Sequence, residues 1–411
     1  MAARILVDGG SWANDRGFGR FVRCLVGAMA LQATEGELSL LVDPQSAKRY
    51  PVPDGVSVVS VASSEIPSEA ASAGGARSIP DLLRFARAAR RTRPSVVFFP
   101  ATYTYFPTPG LVMVVTVHDA MAESMPELIV PRTIDRVRWN SKQWLALRSA
   151  AHVFTVSDEA AVQVHARLRV PADRLSVIAE AADPVFAKLD SANLAEALHR
   201  LQRHRPYVLY VGGFGPHKNV LSLVHAFELL APSHPELELV LVGSLNDPFT
   251  SSPESLFERI AQSVVSERIV LTGFVADTDL SALYNGARVT VLPSFEEGFG
   301  LTAVESAACG TPVVSNRLPS VEASLGSAAL FVDARNHGEL ADGIRSVLND
   351  DQRRREMVAL GLERSAELQW SKSASEVLAL LRSVSERSER SQRSQRSRRS
   401  QRSRRSPRSR R

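Results

Sequence analysis

SFEEGFGLTAVESAACGTPVVSN, residues 294–316, is the stretch that decides the fold. It begins at the end of the apolar run VTVLPS, turns at two glycines, and continues as an apolar helical segment and a second apolar run, PVVSN. Strand, turn, helix and strand in that order indicate a parallel sheet, because parallel strands need a crossover connection that is usually a helix. The glycine turn directly follows a strand, which is where parallel sheets bind their ligands. The sequence therefore predicts a parallel α/β domain with a ligand site at residues 297–305.

The same alternation extends along the whole chain. The first half holds the apolar segments RILVD, LSLLVD, VSVVSVA, SVVFFP, VMVVTVHD and HVFTVSD between helical patterns, and the second half repeats the scheme from YVLYVGG to AALFVD. Apolar strands between amphipathic helices indicate parallel sheets covered on both faces. A chain of 411 residues also exceeds what one core usually supports. We predict an α/β fold of two doubly wound parallel-sheet domains that face each other across a cleft.

The predicted domain boundaries follow the pattern and the composition. We place an N-terminal domain at residues 1–185, a C-terminal domain at 186–370 and a C-terminal helix at 371–384. From 385 to 411 the chain is a repeat of Ser, Arg and Gln that cannot form a core, so we predict a disordered basic tail. The tail, with 12 Arg and 2 Glu, contributes +10 to a net charge of +5, so the remaining residues carry −5. The basic character therefore belongs to the tail.

The composition excludes several classes of protein. Hydrophobic residues make up 44% and charged residues 23%, as in a globular protein that is neither disordered nor embedded in a membrane. Cys24 and Cys309 lie far apart in apolar segments, which argues against a disulfide framework and favours a reducing compartment. The N-terminus shows no signal-peptide pattern. We therefore expect a cytoplasmic enzyme.

The glycine turn suits a phosphate beside hydroxyl groups. Gly298 and Gly300 allow the backbone to approach a ligand closely, and the unpaired amides at the helix start near Leu301 favour an anion. Glu305, inside a nearly all-apolar helix, needs a partner such as the hydroxyls of a ribose. Glu297 can accept hydrogen bonds from sugar hydroxyls. The alternatives are a solvated loop acid and a surface helix acid, which the apolar neighbours of Glu305 disfavour.

FEEGFGLTAVESAACGTPVVSN resembles the E(x)7E signature of the retaining family 4 glycosyltransferases. The resemblance covers residues 4–382 through further motifs and implies the GT-B fold, in which two Rossmann-like domains face each other. It implies that Glu305 holds the nucleotide ribose and that Glu297 contacts the donor sugar. It also implies that backbone amides meet the donor diphosphate at Gly298, Phe299, Gly300 and Leu301.

YVGGFGPHKN is similar to the glycine turn of this family, which contains a phosphate-binding lysine. The resemblance implies that Gly212 and Gly213 approach the donor and that Lys218 neutralises the departing diphosphate. The alternative for Lys218 is an exposed lysine at a helix start, where the helix dipole disfavours a cation. Family members often carry an arginine five residues before the lysine, and this chain has Gly213 there. One positive charge is therefore missing, and His217 is the candidate to replace it in part.

Two motifs of the first half also resemble the family. VVTVHDAM implies that His118 lies beside the anomeric carbon of the donor, and a structural histidine at a strand end is the alternative. DRGFGRFV matches an early glycine loop, so Gly17, Gly19 and Arg20 are candidates to contact the donor phosphates or the acceptor. A plain tight turn is the alternative there.

The remaining motifs concern the nucleotide base and the linker. LTGFV ends a strand, and the resemblance implies that backbone groups of Phe274 and Val275 contact the base. Backbone contacts leave the identity of the base open. SVIAEAADPVF has Ala181 where the linker of the family usually has a glycine, so closure of the domains is expected to differ.

The resemblance implies transfer of a hexose from a nucleotide diphosphate sugar to an alcohol acceptor with retention at the anomeric carbon. The sequence has no DxD-type pair at a strand end and no Cys/His cluster with ligand spacing, so we expect neither a metal nor a cofactor other than the nucleotide sugar. GPHKN is similar to members that use mannose donors, which favours GDP-mannose over a UDP-hexose. The expected acceptor is a growing glycan or a lipid-linked saccharide.

The segment PRTIDRVRWNSKQWLALRSAAH, residues 131–152, combines basic residues with two tryptophans. This composition is typical of a helix that lies on an anionic membrane. The alternative is a solvated helix that covers the N-terminal sheet. A peripheral contact with the inner face of the membrane is thus one expectation. The basic residues and tryptophans are Arg132, Arg136, Arg138, Lys142, Arg148, Trp139 and Trp144.

Two other functions fit parts of the sequence. A nicotinamide dehydrogenase is suggested by GFGRFV and by Asp43 after the next strand, but Val22 replaces the third glycine of that fingerprint. A non-catalytic, degenerate transferase would use its basic tail to bind nucleic acid or membrane lipid. A solvated, disordered extension is the favoured interpretation of the tail, and nucleic acid is not an expected partner.

Overall fold

The computed structural model describes residues 3–70, 77–244 and 254–405. Within these ranges the chain forms two parallel β-sheets, of seven and six strands. Alternate residues of the strands pack into different apolar clusters, one on each face of a sheet. Both sheets are therefore covered by helices on both faces. The predicted fold of two doubly wound parallel-sheet domains is confirmed.

The N-terminal sheet has the strand order β3-β2-β1-β4-β5-β6-β7. Its strands are β1 Ile5–Asp8, β2 Leu38–Val42, β3 Ser57–Ser60, β4 Val96–Phe99, β5 Met113–Thr116, β6 His152–Thr155 and β7 Leu175–Val177. Its helices are α1 Gly17–Ala30, α2 Pro44–Arg49, α3 Pro67–Ala70, α4 Ile79–Arg91, α5 Met121–Ser124, α6 Pro126–Ile129, α7 Thr133–Ser149 and α8 Asp158–Leu168. Every residue of β1, β4, β5 and β6 is buried, as expected of a sheet that is covered on both faces.

The C-terminal sheet has the order β10-β9-β8-β11-β12-β13 and repeats the scheme of the first. Its strands are β8 Tyr207–Val211, β9 Glu238–Val242, β10 Ile269–Gly273, β11 Val289–Leu292, β12 Val313–Asn316 and β13 Ala329–Val332. The helices of this half are α9 Ser191–Arg200, α10 Val220–Leu230, α11 Glu254–Ala261, α12 Asp277–Gly286, α13 Leu301–Ala308, α14 Pro319–Leu325, α15 His337–Asn349, α16 Asp351–Glu367 and α17 Trp370–Arg405. The segment between β7 and α9 contains the predicted boundary near residue 185, which stays a prediction.

The last helix, α17, returns to the N-terminal domain. Its buried residues share one apolar cluster with α1, and the Trp370 ring lies 5.7 Å from the ring of Phe21. Arg382 donates hydrogen bonds of 2.7 and 2.8 Å to the carboxylate of Glu37. The helix thereby ties the end of the second domain to the first. The buried apolar residues of α17 are Trp370, Ala374, Val377, Leu378, Leu381 and Val384.

The basic tail begins within α17. Residues 385–405 are described as a continuation of this helix, and the disorder predicted from the repeat of Ser, Arg and Gln stays a prediction. Arg and Gln have high helix propensity, and neither Gly nor Pro occurs between Trp370 and Arg405, so nothing local ends the helix. No apolar residue follows Val384 in this helix. Residues 406–411 of the predicted tail lie outside the described residues.

None of the helices in the described part of the chain is both long and apolar enough to cross a membrane.

Candidate active site

The acidic glycine turn after β11 lies directly against the end of β5 in the other domain. The Ser157 hydroxyl, at the start of α8, donates a 2.5 Å hydrogen bond to the carbonyl oxygen of Gly298. A Cβ atom at Gly298 would come within 2.3 Å of the carbonyl oxygen of His118, so only glycine fits this contact. The carboxyl ends of the two sheets therefore face each other, and their loops touch at Gly298.

Lys218 and Glu297 form the central charged contact of this gap. Lys218 ends the short 3-10 helix Pro216–Lys218 after β8, and its Nζ lies 2.6 Å from Oε1 of Glu297. Burial alone would raise the pKa of Glu297, but the charge and hydrogen bond of Lys218 outweigh it and lower the pKa. The structure thus brings the predicted phosphate cation and the predicted sugar-binding acid into one ion pair.

Asn219 holds the lysine loop in place. It adopts a left-handed conformation with φ of 53°, and its side-chain amide donates to the carbonyl oxygens of Pro293 and Ala334 at 3.2 and 2.9 Å. The amide of Phe295 also donates to the carbonyl oxygen of His217 at 2.9 Å. The loops after β8 and β11 are therefore joined by backbone contacts beside the Lys218–Glu297 pair.

Glu305 is fully buried within α13 and has two partners. Nη1 of Arg20, from the other domain, lies 2.5 Å from Oε1, and the Tyr284 hydroxyl donates to Oε2 at 3.1 Å. Burial raises the pKa of Glu305 to about 7, against the opposing charge of Arg20. Arg20 also pairs with Asp277 and lies over the ring of Phe186 at 4.8 Å. The buried acid does have a partner, as its apolar helix required, but that partner is an arginine of the N-terminal domain.

His118 lies on the N-terminal side of the gap, and both ring nitrogens contact protein groups. Nε2 is 2.9 Å from the carbonyl oxygen of Pro100, and Nδ1 is 3.0 Å from Oε1 of Glu180. The rings of Phe18 and Phe21 pack edge-on against it. Burial alone would lower the pKa of His118, but the Glu180 carboxylate outweighs it and raises the pKa. These contacts are typical of a structural histidine, which was the alternative role for this side chain. The backbone of His118 contacts the glycine turn.

Asp119 fixes the loop after β5. Its Oδ1 accepts a 3.0 Å hydrogen bond from the amide of Met121. Burial raises its pKa, and the charges of Lys218 and Glu297 act on it in opposite directions. Asp119 therefore lies within electrostatic reach of the central ion pair.

The start of α13 has the backbone that an anion site needs. Gly300 precedes the helix with φ of 85°, and a Cβ atom there would lie 2.5 Å from Cγ2 of Val321. No side chain caps the helix, so its first amides are not taken up by a capping residue. Phe299 is buried and packs into the core, while Leu301 begins the helix.

The glycine turn after β8 is held by its own strand. Gly212 has φ of 155°, and a Cβ atom there would meet the Tyr210 hydroxyl at 2.7 Å. That hydroxyl donates to the carbonyl oxygen of Gly213. The tight turn leads directly to the lysine loop, so both predicted parts of the motif YVGGFGPHKN lie at the same sheet edge.

The residues predicted to contact the base follow β10. Phe274 is half exposed, and Val275 packs against the cluster that contains Leu280 and Tyr284. Asp277, which pairs with Arg20, starts the next helix two residues later. The predicted base contacts therefore adjoin the Arg20–Glu305 pair.

Gly17, Gly19 and Arg20, predicted to lie in a loop between strand and helix, form the start of α1 instead, and Gly19 is closely packed there. A Cβ atom at Gly19 would lie 1.8 Å from the carbonyl oxygen of Asn14, whereas nothing lies within 4 Å of one at Gly17. The side chain of Arg20, in the first turn of α1, crosses the gap to Glu305. A contact of these three residues with phosphates or acceptor stays a prediction.

Sequence reasoning missed Glu180, Asp277 and Tyr284. Glu180 is an acid in the apolar stretch SVIAEAADPVF, and the argument that gave Glu305 a partner applies equally to it. Asp277 and Tyr284 carry no comparable signal, because an acid at a helix start and a tyrosine inside a helix are common. Asp43, which suggested a dehydrogenase, caps α2 by accepting from the amides of Gln45 and Ser46.

No group of three His, Cys, Asp or Glu side chains in the described ranges is arranged to hold a metal ion. Metal-independent transfer stays a prediction.

Comparisons with known proteins identify the family of the chain. The model of the family described as Glycosyltransferase Family 4 matches residues 28–185, and that of Glycosyl transferases group 1 matches residues 196–364. Over 267 residues the chain is 30% identical to the O-antigen chain mannosyltransferase B of Escherichia coli, which covers 64% of this chain and 68% of that protein. The chain spans only about a quarter to a half of the length of several further relatives.

Solved structures share the fold. Sucrose-phosphate synthase from Thermosynechococcus elongatus superposes with a TM-score of 0.71 at 21% identity, covering 93% of this chain and 99% of that one. HepE of Anabaena, in complex with UDP-glucose, superposes with a TM-score of 0.70 at 16% identity, covering 93% and 100%. At these identities the likeness concerns the fold alone, and it agrees with the GT-B arrangement expected from the sequence.

Proposed function

The chain belongs to the family 4 glycosyltransferases, and on that premise we propose that it transfers a hexose from a nucleotide diphosphate sugar to an alcohol acceptor with retention at the anomeric carbon. The observation that carries this proposal is the Lys218–Glu297 pair, 2.6 Å apart at the gap between the domains. It puts a cation and an acid beside the uncapped start of α13. A cation and the amides of a helix start can bind a diphosphate, and a carboxylate beside them can accept hydrogen bonds from a sugar.

Lys218 and the first amides of α13 would hold the diphosphate. As the bond to the sugar breaks, negative charge grows on the leaving phosphate, and a fixed ammonium with oriented amides stabilises that charge. Glu297 would then exchange its contact with Lys218 for hydroxyls of the hexose. The contact with Lys218 lowers the pKa of Glu297 and favours the ionised carboxylate, whose oxygens act only as hydrogen-bond acceptors.

Donor binding would displace Arg20 from Glu305. The nucleotide ribose needs the carboxylate oxygens that Arg20 and Tyr284 occupy. Asp277 can keep Arg20 paired after that exchange, because it already contacts the same guanidinium. Phe274, half exposed beside this pair, is placed to pack against the base.

Retention is proposed to proceed by attack on the face from which the diphosphate leaves. A double displacement would need a carboxylate nucleophile, whereas Glu297 is proposed to bind hydroxyls of the hexose. The departing phosphate would therefore accept the proton of the acceptor hydroxyl, and His118 and Asp119 would shape the N-terminal wall. Proton NMR of the product tests this step, because an inverted anomeric configuration contradicts it.

The proposed donor is GDP-mannose ahead of a UDP-hexose, and the proposed acceptor is a growing glycan. The relative that is 30% identical is a mannosyltransferase of O-antigen chains, whereas the HepE structure holds UDP-glucose. A panel of GDP-, UDP- and ADP-sugars tests the donor by thermal unfolding. A ligand at about 100 times its Kd should stabilise the protein by about 2.7 kcal/mol, and the absence of any shift with all donors would contradict the proposal.

Contact with the inner face of the cytoplasmic membrane is proposed for α7. Its buried side, with Gln143, Ala146 and Leu147, covers the sheet. Its outer side exposes the apolar residues Ile134, Val137 and Trp144 next to basic residues, as on a helix that lies on anionic lipid. Cosedimentation with anionic vesicles that Trp144→Ser weakens would support this contact, and equal recovery of both proteins would contradict it.

A further inference from the structure

A second polar cluster of the N-terminal domain takes no part in the proposed donor site. It lies beyond the carboxyl ends of β1 and β4, where the turn at Gly9 and Gly10 meets the 3-10 helix Thr102–Thr104. We call it the basic cluster. It comprises Arg77, Lys142, Gly10, Tyr103 and Thr104.

Arg77 is a buried cation without a hydrogen-bonded partner. All three guanidinium nitrogens are buried, and none makes a hydrogen bond with any residue that the structure describes. Its Cζ lies 4.6 Å from the centroid of the Phe85 ring, and a Cβ atom at Gly10 would come within 2.4 Å of Nη2. Burying a guanidinium with five N–H donors and no acceptor is unfavourable. A buried guanidinium of this kind indicates that a bound ligand supplies the hydrogen-bond acceptor.

The acids near Arg77 are engaged elsewhere. Asp8 accepts from the Thr104 hydroxyl at 2.6 Å and from the amide of Gly10 at 3.2 Å, and burial raises its pKa despite the charge of Arg77. Asp81 accepts hydrogen bonds from Ser64, Ser78 and Arg84. Neither carboxylate forms an ion pair with Arg77 in the described part of the chain.

Lys142 brings a second cation to the same place. Its Nζ donates a 2.9 Å hydrogen bond to the carbonyl oxygen of Tyr103 and lies 5.6 Å from the Trp139 ring. Burial, and then the charge of Arg77, lower the pKa of Lys142 to about 8. The two cations therefore repel each other, and an anion between them would relieve that repulsion.

Aromatic rings connect this cluster to the gap between the domains. The Tyr103 ring lies 4.9 Å from the ring of Phe18, which lies 5.0 Å from the ring of His118. The Phe18 ring therefore separates the cluster from His118 at the gap by the width of one side chain.

We propose that the basic cluster is an acceptor subsite for a phosphate group, and that the acceptor is an alcohol that also carries a phosphate. This inference rests on the proposed sugar transfer. Arg77 supplies a planar fork of donors and Lys142 a point charge, a combination that suits a multiply charged phosphate better than a carboxylate. The absence of a side chain at Gly10 allows the guanidinium of Arg77 to lie against the turn after β1. A soluble phosphorylated sugar and the phosphate of a lipid headgroup share this chemistry.

The test is thermal unfolding of the full chain, with the donor site saturated by the nucleotide diphosphate that binds it. Glucose 6-phosphate is titrated with glucose as the uncharged control, and phosphatidylinositol vesicles are compared with phosphatidylcholine vesicles. We expect one phosphate probe to raise Tm further, with affinity lower by about ten- to hundredfold in Arg77→Met and Lys142→Met. Arg91→Met, an exposed arginine of α4, is the matched control and should bind as the wild type does.

The ligand-free Tm separates a binding role from a structural one. Because Arg77 has no hydrogen-bonded partner, Arg77→Met should keep or raise the ligand-free Tm. Three results would each overturn the proposal. Neither phosphate probe protects the protein, or the protection disappears once nucleotide fills the donor site, or Arg77→Met binds the probe with unchanged affinity. Failure of the wild type to bind any nucleotide diphosphate would instead contradict the proposed donor site, and the phosphate probes can still be titrated in that case.

Discussion

Arg20 of the N-terminal domain and Glu305 of the C-terminal domain form a buried ion pair across the domain gap, with 2.5 Å between Nη1 and Oε1. The family resemblance assigns Glu305 to the nucleotide ribose, so the arginine occupies oxygens that the donor would use. The two domains are thus joined through the acid that is proposed to bind the donor. This arrangement couples donor binding to the contact between the domains.

Removing Arg20 should destabilise the protein strongly. Arg20→Met leaves Glu305 buried without its cation, and breaking a buried pair on one side costs about 3–5 kcal/mol. Urea unfolding measures the loss, and Arg91→Met on the exposed face of α4 should change stability by less than about 0.5 kcal/mol. An equally small change in Arg20→Met would show that the ion pair does not stabilise the ligand-free state.

Lys218→Met and Glu297→Gln should impair sugar transfer without abolishing folding. Loss of one group that stabilises a developing charge typically lowers kcat by about a hundred- to thousandfold, and we expect this for Lys218→Met. Glu297→Gln keeps the shape but loses the charge, and should lower kcat/KM by about ten- to hundredfold. Because the two side chains touch, the double variant should lose less than the two single effects combined.

Steady-state kinetics with the best donor of the panel measures these effects. Lys372→Met, an exposed lysine on α17, is the control and should keep the wild-type rate. Full activity in Lys218→Met, or additive effects in the double variant, would remove this pair from the proposed mechanism.

Gly298→Ala should separate the two domains. Its Cβ would lie 2.3 Å from the carbonyl oxygen of His118, so the turn or the domain must shift. We expect a loss of turnover and a larger radius of gyration in small-angle X-ray scattering. Gly27→Ala is the matched control, because nothing lies within 4 Å of its Cβ and alanine favours the helix. Identical scattering and activity of the two variants would contradict close packing at Gly298.

The His118–Glu180 pair should make stability depend on pH. The Glu180 carboxylate raises the pKa of His118 above its ordinary value, so the pair stabilises the fold fully below about pH 6.5, and this part is lost as pH rises through the folded pKa. Glu180→Gln should therefore destabilise the protein more at about pH 5.5 than at about pH 8.5. Denaturant unfolding at both values measures the difference. The exposed Glu267→Gln should show no such dependence, and the same loss at both pH values in Glu180→Gln would contradict the pair.

The sequence predicted the parts of the site that depend on local pattern. The alternation of strands and helices predicted two parallel sheets. Gly298 and Lys218 each follow a strand, which predicted that both lie at the same edge of the second sheet. Parallel topology brings the ends of neighbouring strands together without any knowledge of side-chain contacts. The contact between Lys218 and Glu297 follows from that topology.

Contacts between the domains were beyond sequence reasoning. Arg20 and Glu305 are 285 residues apart, and their contact depends on how the two sheets are oriented. The apolar environment of Glu305 required a partner but did not identify it. Within the N-terminal domain, Glu180 meets His118 across 62 residues, and no local pattern in the sequence identifies that contact. The return of α17 to α1 likewise requires the assembled surface of both domains.

The most direct test of the proposed donor site is a crystal structure of the full chain with a non-transferable analogue of the donor selected by the panel. We predict that Nζ of Lys218 lies within hydrogen-bond distance of a phosphate oxygen and that Glu305 accepts from ribose hydroxyls, with Arg20 moved towards Asp277. A nucleotide bound outside the gap, or one bound while Glu305 keeps its contact with Arg20 and no ribose hydroxyl reaches it, would contradict the site.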